Sequence, residues 1–475
     1  MNALMVLASA VALTAAVLTA NPAPAQSAGA SDTELAKRML HRRAVEAVIW
    51  GMPAVNYHLM YQAMVRDTKG AFNQMVYWSR LPNWRNQTLT PNPDVIYVMP
   101  FFNTQDAGPI VLDIPPADHG VIDGSVMNYW QAAIEDVGPA GVDKGKGGKY
   151  LIVPPGYKES VPDGYILMAS DTFRGYALLR SIPKGGSNAD VAQAMAYAKR
   201  IKVYPFSQAA SPPQTVFVDA IDVVFDAAIP YDLRFFRALD QMVQAEPWLE
   251  RDKAMIDQLR TIGIERGKPF NPDAGTPKIL NEAIREAKGW LDVRYEALFV
   301  PYYKNRRWAL PGDPELLKSV QNSFTVPDSY PIDARGVYFT FAFFSARHLG
   351  KGQFYLMAIR DKDGKPLDGK ATYRMTVPAN APINQYWSAT AYNRETHTLI
   401  RNVKWPDRSS QTPGLRKNAD GSADIFFGPQ PPQGMASNWV PTDPKGRFEV
   451  LFRFYGPEKP LFDKTWVLGD IEKVN

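Results

Sequence analysis

Hydrophobic residues follow two different spacings along this chain. Between residues 72 and 180, short runs of Val, Ile, Tyr and Phe recur between Pro and Gly turns, at 95–102, 110–114, 126–134, 150–153, 165–169 and 176–180. Runs this short, rich in β-branched and aromatic residues and bounded by turn formers, predict antiparallel strands. Between 231 and 308 the apolar residues recur at helical spacing instead, as in Phe235, Leu239, Met242 and Val243. Thr276-Pro277 opens a long amphipathic helix towards Tyr302, and Gly312-Asp313-Pro314 punctuates its end. The β pattern returns at 336–344, 354–360, 372–377, 386–392, 423–427 and 447–454, with Asp363-Gly364 and Asp420-Gly421 as hairpin turns. Near the start, Ser31-Asp32-Thr33-Glu34 is a capping box that predicts a helix through Trp50. Pro53 fits the first turn of a second helix through Arg66, with Ala54, Leu59, Met60 and Met64 on its buried face. Asn188 caps an Ala-rich helix over 189–200.

These elements predict an α+β fold, mainly antiparallel β, with two β-sandwich-like modules and a helical segment between them. The expected divisions are a leader at 1–25, an N-terminal β-rich module with leading helices at 26–230, a helical segment at 231–312 and a C-terminal β-sandwich-like module at 313–475. At 475 residues and 45% hydrophobic content, the chain has enough apolar material for more than one core.

Residues 3–20 are almost entirely small and apolar, and Ala23-Pro24-Ala25 supplies an A-x-A cleavage pattern. This predicts a signal peptide cut after Ala25 and a periplasmic or secreted protein. Met1-Asn2 departs from the pattern in carrying no Lys or Arg, and the rival reading is an N-terminal membrane anchor. No later run approaches the ~20 apolar residues of a spanning helix, so no stable membrane span is expected. The absence of cysteine excludes disulfides, thiolate catalysis, iron–sulfur clusters and cysteine-zinc sites. The 53 basic and 48 acidic residues are interspersed, and the net charge of +5 forms no stripe for nucleic acid. Extended β edges and many aromatics make a homo-oligomer an expected partner arrangement.

The chain has no G-x-S-x-G elbow, H-E-x-x-H or phosphate-binding loop. Gly145-Lys146-Gly147-Gly148-Lys149 has the wrong spacing and precedes a strand. The five histidines are isolated, so neither a cofactor nor a dedicated metal site is expected. The chemistry that remains centres on Thr90-Pro91-Asn92-Pro93-Asp94. Two prolines stiffen this segment and present Asn92 and Asp94 at a strand entrance beside Tyr97. The same spacing also suits a rigid turn closed by those two side chains. Asp94, Glu135 and Asp136 would make an acid–base set if folding joined them.

Several motifs together resemble exported bacterial proteins that pair the domains of unknown function 1254 and 1214. The first domain's features are Thr90-Pro91-Asn92-Pro93-Asp94-Val95-Ile96-Tyr97, Asp136-Val137-Gly138, Gly147-Gly148-Lys149-Tyr150 and Lys202-Val203-Tyr204-Pro205. The second domain's are Arg335-Gly336-Val337-Tyr338, Tyr386-Trp387-Ser388-Ala389-Thr390 and Ser437-Asn438-Trp439-Val440-Pro441. Val95 stands where the first domain usually shows Thr. The resemblance implies a two-module, mainly β, exported protein, and it supplies no reaction.

The function expected on these grounds is that of a periplasmic enzyme. It would be a hydrolase, without a transition-metal site, acting on a small or oligomeric organic substrate in a cleft between the modules. Asp94 would be the general acid or base, and Asn92 and Arg335 would orient the substrate. Tyr97, Trp130, Tyr338, Tyr386, Trp387 and Asn438 would bind it. The alternative is a non-catalytic ligand-binding or envelope-structural protein using the same cleft.

Overall fold

A computed structural model describes residues 31–348 and 352–474. The expected leader at 1–25 lies outside the described residues. The leading helix, α1 (Asp32–Ala63), begins as its capping box requires, with the Ser31 side chain accepting from the Glu34 N–H at 3.3 Å. It is one helix rather than the expected two, because it continues through Pro53. Its middle is buried on nearly every side, and that packing overrides the helix-breaking tendency of proline.

The N-terminal module stacks two sheets. The larger has six strands in the order Phe217–Asp219, Met75–Tyr77, β1 (Ile96–Asn103), β3 (Arg174–Ser181), β2 (Ile122–Asn128) and Ala133–Val137. The second sheet is built from Lys202–Pro205, Ile110–Ile114, Gly148–Val153 and Tyr165–Ala169. Successive strand residues point to opposite faces, and β1 shows the consequence. Ile96, Val98 and Phe102 enter the core between the sheets, whereas Tyr97, Met99 and Phe101 enter a core shared with the helices. β1 is therefore apolar on both faces and buried throughout.

The helices α1, α2 (Leu233–Ala245), α3 (Thr276–Ala297) and α4 (Ile332–Phe341) form a layer over that sheet. The run 336–344, expected to be a strand, is helical through Phe341. A continuous apolar run buried all round carries no period that separates strand from helix. Gly336 explains the close packing. A Cβ there would lie 2.8 Å from the Ile49 carbonyl oxygen of α1, the oxygen that Pro53 leaves without its intrahelical donor.

The C-terminal module is a sandwich. One sheet is ordered β4 (Gln353–Ala358), β7 (Phe448–Tyr455), β5 (Trp387–Asn393) and β6 (Asp407–Ser409). The other contains Trp439–Pro441, Ala423–Gly428, Tyr373–Val377 and Glu472–Lys473. Val450, Phe452 and Phe454 of β7 point into the sandwich, while Leu451 joins the helical core. The architecture is thus sheet, sheet, helices, sheet, sheet, an α+β fold with mainly antiparallel pairing. No described helix is long and apolar enough to cross a membrane.

One buried acid makes this stability pH-dependent. Glu246, just after α2, accepts the Phe173 N–H at 2.7 Å through Oε2, while its Oε1 is enclosed without a donor. Burial pushes its pKa up to about 8. Folding then takes up a proton between the ordinary carboxylate range and about 8, so stability falls as pH rises through that window. The slope is at most about 1.4 kcal/mol per pH unit. Glu246→Gln is expected to flatten urea midpoints measured from pH 5 to pH 9; equal pH dependence in both proteins would refute the assignment.

Candidate functional site

Residues paired across antiparallel strands lie side by side on one face. In the larger N-terminal sheet, Tyr97 pairs with Arg180, and Arg180 pairs with Asp123. In the facing C-terminal sheet, Tyr355 pairs with Arg453, and Arg453 with Ser388. Each sheet therefore presents a Tyr–Arg row towards the middle of the molecule. Tyr97, Arg180, Asp123, Tyr355 and Arg453 line a cavity of about 500 Å³ between the modules, walled by aromatics such as Phe341, Phe343 and Phe344. Mostly apolar walls with a few convergent polar groups are the usual make-up of a small-molecule site.

The two arginines are used differently. Arg453 is bonded through both terminal nitrogens. Its Nη1 donates to Thr390 Oγ1 at 2.8 Å, and its Nη2 donates to the Thr90 carbonyl at 3.0 Å, the Pro91 carbonyl at 3.4 Å and the Tyr392 hydroxyl at 2.6 Å. Arg180 is 7% exposed and lies over the rings of Phe344 and Tyr97, at 5.0 and 5.8 Å. Its guanidinium donates to no described residue. Asp123 beside it accepts from Gln353 Nε2 at 3.2 Å; burial raises its pKa, and Arg180 opposes that rise. Asp136 is satisfied at both oxygens, by Ser125 Oγ and the His348 N–H, each at 2.7 Å. The His348 ring meets Glu135 at 3.2 Å.

The segment singled out in the sequence is the seam between the modules. The Thr90 N–H donates to the His397 carbonyl at 2.7 Å, and its hydroxyl to the Phe341 carbonyl at 2.7 Å. These bonds hold a β-branched residue at φ +39°, a strained conformation that only surrounding contacts sustain. The Asn92 amide donates to Tyr386 at 3.3 Å and to Tyr455, and its Oδ1 accepts the Asp94 N–H at 3.0 Å. Tyr386 and Tyr455 stack with centroids 4.3 Å apart. Asp94 is half-buried and does not line the cavity; its Oδ2 is enclosed. It faces Asp407 and Ser388 of the C-terminal module, and burial raises the pKa of both carboxyls, Asp407 the more strongly because Asp94 adds like charge. Two neighbouring buried carboxyls disfavour being charged at once.

Asn92, Tyr97 and Tyr338 line the cavity as expected from sequence. Arg335 and Trp130 do not. Arg335 sits on α4 inside the helical layer, over Phe324 at 4.5 Å and bonded to the Trp130 carbonyl, and burial pushes its pKa down to about 9. Trp130 packs on Trp50 at 4.9 Å. Trp387 stacks on Phe452 inside the sandwich, and Asn438 is consumed by backbone bonds to Arg416 and Asp424. Asp94 does not meet Glu135 and Asp136 as one acid–base set. Arg180, Arg453, Asp123 and Tyr355 were missed. The legible signal was an arginine on alternate positions of an otherwise apolar strand, as in Phe452-Arg453-Phe454.

Arg453→Met would leave the Thr90 carbonyl without its donor and the Pro91 carbonyl with the Tyr392 hydroxyl alone, and is expected to cost about 2 kcal/mol in urea unfolding. Arg180→Met leaves no acceptor behind and is expected to cost less than about 1 kcal/mol. Equal losses would refute the distinction.

Comparison with known proteins agrees with the two-module organisation. Residues 72–205 match the model described as "Protein of unknown function (DUF1254)", and residues 352–459 match "Protein of unknown function (DUF1214)". No curated protein matches the sequence. The VPA0106 protein of Vibrio parahaemolyticus, a solved structure, is 16% identical with a TM-score of 0.55 over 92% of this chain and 100% of its own, which shows a common fold. A putative uncharacterized protein from Burkholderia cenocepacia is 11% identical with a TM-score of 0.41, over 92% of this chain and 95% of its own. The chain therefore belongs with the proteins that pair the DUF1254 and DUF1214 domains, and its cavity lies where residues of both matched regions meet.

Proposed function

We propose that this protein is exported and binds a small organic molecule in the cavity between its modules. The observation that carries the reading is the pair of Tyr–Arg rows facing one aromatic-walled space of about 500 Å³. The seam accounts for Arg453, but no described hydrogen bond accounts for Arg180 at the cavity. A ligand held there explains why the seam is so heavily bonded, since loosening it would open the site.

Hydrolytic turnover is the second reading, and Asp123 is the observation in its favour. Its carboxyl lines the cavity, and burial raises its pKa towards the range where it can donate as well as accept a proton. Asp94 is better suited to joining the modules than to chemistry, because it reaches Asp407 and Ser388 rather than the cavity.

Mature protein, its Ala346→Trp variant with added bulk on the cavity lining, and Asp123→Asn would each be incubated with a pool of metabolites. Mass spectrometry would follow what is retained and what is changed. Retention by the wild type that Ala346→Trp abolishes is expected. Conversion of a retained compound, spared by Asp123→Asn, would establish the hydrolase reading. Retention independent of the cavity variant, or none, would overturn the proposal.

A further inference from the structure

Arg180 is the feature that the rest of the fold leaves unexplained. Among buried cations of the cavity, Arg453 spends its donors on Thr390, Tyr392 and two seam carbonyls. Arg180 is nine-tenths buried, lines the same cavity and donates to no described residue. The Arg180 guanidinium carbon lies 5.0 Å from the Phe344 ring centre and 5.8 Å from that of Tyr97, within cation–π range. These rings satisfy its charge in part and none of its five N–H groups, which project from the edge. A cation with idle donors in a low-dielectric space costs stability unless an acceptor comes to it.

The acceptor is not supplied by the nearby acids. Asp123 is the register partner of Arg180, yet the two form no ion pair; the Asp123 carboxyl accepts from Gln353 instead. Asp136 has both oxygens occupied by Ser125 and His348. Neither acid therefore meets the Arg180 N–H groups. A planar guanidinium fork with N–H groups free of described acceptors matches a planar carboxylate, which can accept two of them side by side. Phe341, Phe343, Phe354, Met357 and Leu451 give the same cavity an apolar stretch of wall.

On the reading that the cavity binds a small molecule, we propose that the ligand is an organic monocarboxylate, with its carboxylate on the Arg180 guanidinium and an apolar or aromatic body against the phenylalanine wall.

Matched probes separate this from the parent reading. Octanoate and 4-phenylbutyrate would be compared with octanamide and 4-phenylbutanamide by isothermal titration calorimetry, on wild type, Arg180→Met, Arg180→Gln and Ala346→Trp. The carboxylates are expected to bind wild type about tenfold or more tighter than the amides, a difference of about 1.4 kcal/mol per tenfold. Both Arg180 variants should erase that preference while keeping the wild-type melting temperature, and Ala346→Trp should abolish binding of acids and amides alike. Equal binding of acid and amide to wild type, with Ala346→Trp still blocking both, would overturn the carboxylate assignment and leave the cavity reading standing. Acid preference that survives in both Arg180 variants would overturn it as well. No binding of either class, or binding that Ala346→Trp leaves unchanged, would overturn the cavity reading and this inference with it.

Discussion

The fold hinges on how a five-residue segment of the N-terminal module is gripped by one strand of the C-terminal module. Arg453 of β7 donates to the carbonyls of Thr90 and Pro91, and Tyr455 of the same strand meets the Asn92 amide. Proline on either side of Asn92 leaves the segment little freedom to escape these bonds. The carbonyls of Thr90 and Pro91 have no sheet ladder of their own here. Without Arg453 and Tyr392 they would be buried polar groups with no donor, which is more costly than the net gain of the bonds they make. The modules are consequently parts of one body, sharing a core with the helices rather than touching across a wet interface.

The cavity follows from that grip. Cross-strand register sets Tyr97, Arg180 and Asp123 in line on one sheet, and Tyr355, Arg453 and Ser388 on the other. The seam holds these rows opposite each other. One arginine is then structural and one is idle, although both sit on alternate positions of buried strands. A buried charge gains most from a partner where water is excluded, because Coulomb attraction is weakly screened there. The idle arginine is thus where ligand charge would matter most.

Much of the fold was legible in the sequence. Turn-bounded strand patterns give a mainly antiparallel α+β protein, and the capping box at Ser31 starts α1. The division into one helix or two at Pro53 was not legible, because proline's local cost is outweighed by burial that only the assembled layers supply. The strand expected at 336–344 failed for a related reason: residues buried all round lose the periodicity on which the distinction rests. Of the stiff Thr90–Asp94 motif, Thr90 and Asn92 line the cavity and Asp94 does not, and the segment's hydrogen bonds join the modules. Arg335 was read as a site residue from its motif, yet it is enclosed by Phe324, Tyr330 and Phe339 within the helical layer. The arginines that do face the cavity depend on pairings between strands far apart in sequence, Tyr97 with Arg180 and Tyr355 with Arg453, and no local spacing encodes these.

Native-state hydrogen exchange tests the seam most directly. If the Thr90–Asn92 grip makes the modules one body, amides of β1 and β7 should exchange through the same opening, with equal free energies and equal sensitivity to urea. Opening of β7 and the C-terminal sandwich at a distinctly lower free energy, with β1 still protected, would contradict it and leave the cavity without its fixed far wall.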